Sequence, residues 1–207
     1  MTANGFTAQS PATIKEVFAT RSMARAGDFV TAGISPSRLR RAVLNGSLQR
    51  LSRGVYAPAQ QQPGDHWSLR EVAVRAPNAV VCLLSALAFH GVTTQQPHEV
   101  WIAIEGTAWA PRVGNLRLRV LRFSGQSFRL GIETHVVEGV PIRVYSLART
   151  VADCFRMRNK IGLEVAMEAL REALRSRKVT RDQILEMARG LGVARVIIPY
   201  MEMEAGA

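Results

Sequence analysis

The feature that most constrains the fold is a segment with helix-capping signals at both ends. Ser35 suits the N-cap, Pro36 suits the first helical position and Gly46 suits the helix exit. About ten residues lie between these signals, which predicts a helix roughly 15 Å long. One side of this helix is apolar and is expected to face a core, and the other side is polar. The apolar side carries Leu39, Ala42 and Val43, and the polar side carries Ser37, Arg38, Arg41 and Asn45.

A short basic hairpin is predicted directly after this helix. Leu48 and Leu51, on either side of Gln49-Arg50, predict a short strand, and Val55-Tyr56 begins a second strand. Ser52-Arg53-Gly54 lies between them and is typical of a tight turn. The hairpin therefore presents arginines beside and at its tip.

Two further helices are predicted before the capped helix. The first covers residues 12–20, and the second covers residues 23–32, with Phe29 and Val30 as its core contacts. Gly33 ends the second helix. Three helices followed by a basic hairpin indicate a winged helix-turn-helix, which reads DNA. The alternative is a solvated basic helix in an ordinary fold.

Charge supports the DNA interpretation. The 207-residue chain has 27 basic and 16 acidic residues, which gives a net charge of +11. Residues 1–60 contain eight of the basic residues but only two of the acidic ones. A segment this basic attracts a polyanion, and nucleic acid is the commonest one. Side chains on the helix can bond base edges, and arginines of the hairpin can bond phosphate or enter the minor groove. The predicted DNA-binding residues are Ser35, Ser37, Arg38, Arg40, Arg41, Asn45, Arg50 and Arg53.

A second domain is predicted after a polar linker at residues 58–64. The predicted domains are 1–60, a winged helix-turn-helix domain, and 65–207, an α+β domain. The second domain is expected to have a mainly antiparallel sheet followed by helices. Its predicted strands cover 99–104, 116–123, 132–137 and 141–145, and its later helices cover 146–157, 162–175, 180–188 and 193–198.

Catalytic and metal-binding patterns are weak in this sequence. None of the four histidines has a metal-binding spacing to another ligand, no glycine-rich phosphate loop occurs, and Cys82 and Cys154 suit small buried hydrophobes. No cofactor is expected. Arg149 and Asp153 are four residues apart on a predicted helix with apolar neighbours. They suit an ion pair that orients the helix, or part of an interaction site.

The compartment is predicted from two absences. No apolar run reaches the eighteen or so residues that a membrane helix needs. The first residues lack the basic start and apolar stretch of a signal peptide. The chain is therefore expected to be cytoplasmic, without a membrane partner.

The sequence resembles the AbiEi antitoxin family, the regulatory half of type IV toxin–antitoxin (abortive infection) systems. The resemblance covers nearly the whole chain and includes residues 33–56 with their GSLQRLSRGVY segment. It continues through SALAFHG at 85–91, HEVWIAI at 98–104, YSLARTVAD at 145–153, and residues 155–170.

This resemblance implies a DNA-binding repressor of its own operon. It also implies a second domain that supports repression and counteracts a nucleotidyltransferase-like toxin, without a stable complex between the two proteins. The resemblance implies no enzymatic activity. Two copies are expected on an inverted-repeat operator, because a single winged helix reads a short site.

Two other functions remain open from the sequence. One is a stand-alone, ligand-sensing winged-helix regulator with a pocket between sheet and helices. The other is a small nuclease that uses Glu99, Glu105, Glu133 and Asp153 as its acids.

Overall fold

The computed structural model describes residues 13–93 and 97–204, so the start of the first predicted helix at Ala12 and both chain ends lie outside the described residues. Within these ranges the chain forms 11 helices and eight strands, and the strands make two sheets. None of the described helices has the length and apolarity needed to cross a membrane.

The first sheet belongs to an N-terminal unit. Strand β3 lies between β1 and β2, and both pairings are antiparallel. The elements of this unit are α1 (Ile14–Val17), β1 (Ala24–Arg25), α2 (Ala26–Thr31), α3 (Pro36–Leu44), β2 (Leu48–Ser52) and β3 (Val55–Pro58).

Helix α3 forms as its capping signals predict. The Ser35 side chain accepts a hydrogen bond from the backbone N–H of Arg38 at 3.3 Å, and Pro36 is the first helical residue. Gly46 follows the helix with a φ of 74°, a conformation that favours glycine. Leu39 and Ala42 are buried, so the predicted apolar side does face a core.

The predicted helix over residues 23–32 is wrong in its first turn. Ala24 and Arg25 are extended because they pair with Tyr56 and Val55 of β3, and the helix starts at Ala26. Tertiary pairing overrides a local helical pattern here. Phe29 is fully buried as predicted, whereas Val30 is 59% exposed and is not a core contact.

The second sheet is mixed and has the strand order β6-β5-β4-β8-β7. Its strands are β4 (Val80–Val81), β5 (Val100–Glu105), β6 (Leu118–Phe123), β7 (Ile132–Val137) and β8 (Val140–Tyr145). The described helices of this unit are α4 (Trp67–Arg75), α5 (Leu83–His90), α6 (Gln126–Arg129), α7 (Leu147–Arg156), α8 (Arg158–Ile161), α9 (Leu163–Arg175), α10 (Arg181–Gly190) and α11 (Ala194–Met203).

The prediction of a mainly antiparallel sheet is not borne out. β4 pairs antiparallel with β5, and β7 with β8, but β5 runs parallel to β6 and β4 parallel to β8. The connection of residues 106–117 is long enough for β6 to return parallel to β5. Residue alternation along a strand does not reveal the direction of its neighbour, so the sequence pattern missed this arrangement.

The sheet separates two apolar layers. One layer packs helices α5, α7, α9, α10 and α11 against the sheet, and α4 and the N-terminal unit cover the other face. Adjacent residues of one strand contribute to opposite layers: Val80 lies in the first and Val81 in the second.

The predicted end of the last helix at residue 198 is wrong. Pro199 does not stop this helix, because it lies inside α11, which continues to Met203. Beyond this proline, Tyr200 stacks against Phe155 at 5.3 Å between ring centroids, and Met201 is buried. Packing therefore retains a helix that a proline weakens.

The N-terminal unit is joined to the second unit through Arg70 of α4. This side chain is fully buried, donates to the Ser22 hydroxyl at 2.7 Å and forms an ion pair with Glu138. Glu138 also accepts a hydrogen bond from Gln61 at 3.0 Å, and its backbone carbonyl accepts from the Ser22 N–H at 2.9 Å. Polar contacts from both units therefore meet at one turn.

Apolar contacts reinforce this junction. Met23, Val55 and Ala57 of the N-terminal unit belong to the same buried cluster as Leu69 and Val72 of α4. One side of the first sheet therefore packs against the helices of the N-terminal unit, and its other side packs against the second unit. The division into domains at residues 60 and 65 stays a prediction.

Replacing Gly139 by alanine is expected to destabilise this junction. Gly139 has a φ of 73°, and an added Cβ would collide with the backbone carbonyl of Thr20. The left-handed conformation alone costs a non-glycine residue about 1–2 kcal/mol, and the collision adds to it. Urea unfolding measures the loss. The control is Gly192→Ala, which has a similar φ of 71° and open space around the added Cβ. An equal loss in both variants would contradict the proposed collision.

Candidate nucleic-acid interface

All predicted DNA-binding residues lie at the surface of the N-terminal unit. Every one of the eight side chains is exposed. Ser37, Arg38, Arg41 and Asn45 project from the polar side of α3, opposite the buried Leu39 and Ala42.

Two of the three arginines of α3 border a groove shared with α1. This groove has a volume of about 680 Å³, and Arg38, Arg41 and Asn45 line it together with Lys15 and Phe18. Sequence reasoning missed Lys15 as a site residue, although its place in a basic segment was the available signal. The structure adds this exposed ammonium group to the arginine-bearing side of α3.

The arginines of α3 have no ion-pair partner among residues 13–93 and 97–204. Their positions have opposite effects on the helix: the helix dipole disfavours a cation in the first turn, where Arg38 lies, and favours one in the last turn, where Arg41 lies. The two like charges also repel each other at the i,i+3 spacing, and a bound anion would relieve this repulsion.

The hairpin between β2 and β3 carries the second part of the candidate interface. Gly54 has a φ of 78°, and the pairing of β2 with β3 shifts register between Arg50 and Ser52. The Arg50 Nε donates to the Ser52 carbonyl at 3.4 Å, while Arg53 extends from the tip without a bonded partner in the described chain. The hairpin tip therefore presents a free guanidinium group.

Other charges of the N-terminal unit are already engaged. Arg21 pairs with Asp28 at 3.5 Å, and the Arg25 Nε donates to the Val74 carbonyl of α4. Glu16 binds the Thr13 backbone N–H at 2.7 Å in a capping box. The acids of this unit are thus held away from the arginines of α3.

Aromatic packing fixes the orientation of these helices. Phe29 of α2 contacts Phe18 at 5.6 Å and Tyr56 at 5.8 Å between ring centroids, both edge to face. Helix α3 packs on the same cluster through Leu39 and Ala42. The polar side of α3 is consequently presented by a rigid support.

Arg149 and Asp153 lie in the interior. The Arg149 Nε donates to Asp153 Oδ2 at 2.8 Å, and both side chains are fully buried. The guanidinium group also donates to the carbonyls of Leu130 and Ser127 at 2.9 and 2.8 Å, and it stacks 4.3 Å above the Tyr145 ring. Burial raises the pKa of Asp153, and Arg149 opposes this rise. This geometry orients α7 against the sheet.

The acids considered for a nuclease are not brought together. Glu99 pairs with Arg119, Glu105 with Arg129, Glu133 with His135, and Asp153 with Arg149. In the part of the chain that the structure describes, no group of three or more His, Cys, Asp or Glu residues is arranged to hold a metal ion. Cys82 and Cys154 are buried free thiols, and burial raises the pKa of each.

Comparisons with known proteins give a family for the N-terminal unit and a fold for most of the chain. Residues 13–59 match a family model described as "Transcriptional regulator, AbiEi antitoxin", which confirms the predicted resemblance over this segment. No curated protein matches the sequence significantly. The crystal structure of the RV2827C protein from Mycobacterium tuberculosis is similar, with a TM-score of 0.50 and 14% identity over 87% of this chain and 78% of that chain. At this identity the likeness concerns the fold alone.

Proposed function

Because residues 13–59 match the AbiEi antitoxin family of transcriptional regulators, we propose that this protein is a DNA-binding repressor that regulates its own type IV toxin–antitoxin operon. It also antagonises a nucleotidyltransferase-like toxin, without forming a stable complex with it. The observation that carries the proposal is the exposed polar side of α3, with arginines that have no ionic partner in the described chain. The protein acts in the cytoplasm and has no enzymatic activity of its own.

The N-terminal unit works as a winged helix-turn-helix in this proposal. The order α1-β1-α2-α3-β2-β3 and the antiparallel sheet β1-β3-β2 support this assignment. Helix α3 enters the major groove with Ser37, Arg38, Arg41 and Asn45, while Arg40, Arg50 and Arg53 contact phosphate or the minor groove. Ser35 caps the helix at the DNA. The unit from residue 65 onward supports repression and toxin antagonism.

The direct test uses DNA from upstream of the protein's own gene. Footprinting is expected to protect an inverted repeat, because two copies bind two half-sites. Protection of one asymmetric half-site would contradict binding by two copies, and absence of a mobility shift would overturn the repressor proposal. Toxin antagonism is tested by co-expression with a neighbouring nucleotidyltransferase gene, where growth is expected to recover without co-purification of the two proteins.

Replacing Arg53 by alanine is expected to weaken binding to all duplex sequences alike. A phosphate contact carries no sequence information, and its loss lowers the salt-dependence slope by about one. Titrations of operator and unrelated duplex at several salt concentrations measure both effects. Arg195→Ala removes an exposed arginine from α11 and serves as the charge control. A loss confined to the operator would contradict a phosphate-binding role for Arg53.

A further inference from the structure

Trp109 is the largest apolar side chain exposed in the described structure. It is 96% exposed and lies in the connection between β5 and β6. The two other tryptophans, Trp67 and Trp101, are half-buried. Burying this indole against a ligand would remove a large apolar surface from water, so its exposure leaves a stabilising contact available.

The backbone that carries Trp109 is held in place. Arg122 of β6 donates from Nη1 to the carbonyls of Gly106 and Ala108, at 2.8 and 2.7 Å. The Ala108 N–H also bonds the Glu105 carbonyl at 2.8 Å. The indole therefore extends from an anchored turn.

A cleft of about 590 Å³ lies beside this indole. Its apolar lining includes Pro77, Ile104 and the buried Phe128. This volume is within the range of small-ligand sites in proteins. The cleft therefore offers both a free aromatic face and an apolar wall.

Cations predominate at the rim of the cleft. Three arginines, Arg75, Arg129 and Arg143, line it, against one carboxylate, Glu105. Arg75 is exposed and has no bonded partner among the described residues. Arg129 is 76% exposed and 3.7 Å from Glu105, and Arg143 uses one Nη on the Asn78 carbonyl at 3.0 Å. Most of the guanidinium donors are consequently available to an anion.

We infer that this cleft binds a nucleotide unit, with the base stacked on Trp109 and the phosphate held by the rim arginines. A flat π surface next to clustered guanidinium groups is the combination that binds unpaired nucleotides. Duplex DNA does not satisfy it, because paired bases are not free to stack on a side chain. The nucleotide unit comes from a single-stranded nucleic acid or from a free nucleotide.

This site is separate from the proposed duplex-reading helix. The cleft is formed by elements of the second unit, whereas two arginines of α3 border the groove with α1. Loss of one binding activity is therefore expected to leave the other intact.

The experiment titrates the full chain with two probes: a mixed-sequence single-stranded 12-mer and a set of ribonucleoside mono- and triphosphates. Tryptophan fluorescence quenching and the anisotropy of the labelled 12-mer report binding. Binding of the strand alone assigns the site to single strands, and binding of the free nucleotides assigns it to those. If neither probe binds, the inference is overturned.

Variants locate the bound probe. Trp109→Leu is expected to weaken binding roughly 5- to 150-fold, the range for loss of a base stacked on an aromatic ring, and Trp109→Phe is expected to retain most of the binding. Arg75→Ala plus Arg129→Ala is expected to weaken binding and flatten its salt dependence, whereas Arg189→Ala plus Arg195→Ala, an equal charge loss elsewhere, is not.

Operator binding and oligomeric state complete the test. Trp109→Leu is expected to bind the operator duplex normally, and Arg38→Ala plus Arg41→Ala is expected to bind the single-stranded or nucleotide probe normally. The inference would be overturned if the α3 variant lost probe binding or if Trp109→Leu retained it. It would also be overturned if the protein bound no probe and instead self-associated in a way that Trp109→Leu abolished.

Discussion

Replacing Arg38 and Arg41 together by alanine is expected to abolish sequence-specific binding to the operator. Both side chains are exposed on one side of α3 and have no ion-pair partner in the described chain. An arginine that reads a base contributes on the order of 1–3 kcal/mol, or roughly 5- to 150-fold in Kd. The double variant is therefore expected to bind the operator no better than unrelated DNA. A mobility shift against both duplexes measures this.

The control for this variant is Arg189→Ala plus Arg195→Ala, which removes two exposed arginines from α10 and α11. A general effect of net charge would weaken both double variants equally. Thermal unfolding is expected to show that the α3 variant is at least as stable as the natural protein, because two like charges at the i,i+3 spacing are gone. Unchanged operator binding would overturn the assignment of α3 as the reading helix.

Replacing Arg149 by methionine is expected to produce the largest loss of stability, about 3–5 kcal/mol. The change leaves Asp153 as a buried carboxylate without its partner. It also removes the donors to the carbonyls of Leu130 and Ser127. Urea unfolding at neutral pH measures the loss.

Two further variants separate the ion pair from simple packing. Asp153→Asn keeps the shape of the side chain and leaves the Arg149 charge buried, so it is also expected to be strongly destabilising. The double variant Arg149→Met plus Asp153→Asn is expected to be more stable than either single variant, because no unpaired charge remains. Additive losses in the double variant would contradict a coupled pair.

The loss of folding stability caused by Arg149→Met is expected to depend on pH. Burial already raises the folded-state pKa of Asp153 above its usual 3.8, and removing Arg149 raises it further. The folded state then binds more protons than the unfolded state, so stability falls as pH rises above the unfolded pKa. Unfolding at pH 5 is expected to show a smaller deficit than unfolding at pH 8.

Local signals predicted the best-defined parts of the fold and of the candidate interface. Ser35, Pro36 and Gly46 bound α3 through their own backbone chemistry, and the helical period correctly put Leu39 inside and Arg38 outside. Thr180 and Gln183 likewise form a capping box at the start of the predicted helix 180–188. These features depend on residues within a few positions of each other, which is why the sequence reveals them.

Long-range contacts account for what the sequence missed. Ala24 and Arg25 are extended because Val55 and Tyr56 pair with them from thirty residues away. Arg70 resembles any surface arginine in the sequence, and only the tertiary fold buries it beside Ser22. The strand directions of the second sheet depend on how the chain crosses over, which side-chain alternation does not encode.

The shared buried cluster of the two units restricts how the protein can be dissected. Met23, Val55 and Ala57 are in the interior only while α4 covers them. A fragment ending near residue 60 would transfer these side chains to water, together with the polar groups that Arg70 satisfies. Studies of the isolated N-terminal unit therefore need substitutions that make the exposed side of its sheet hydrophilic.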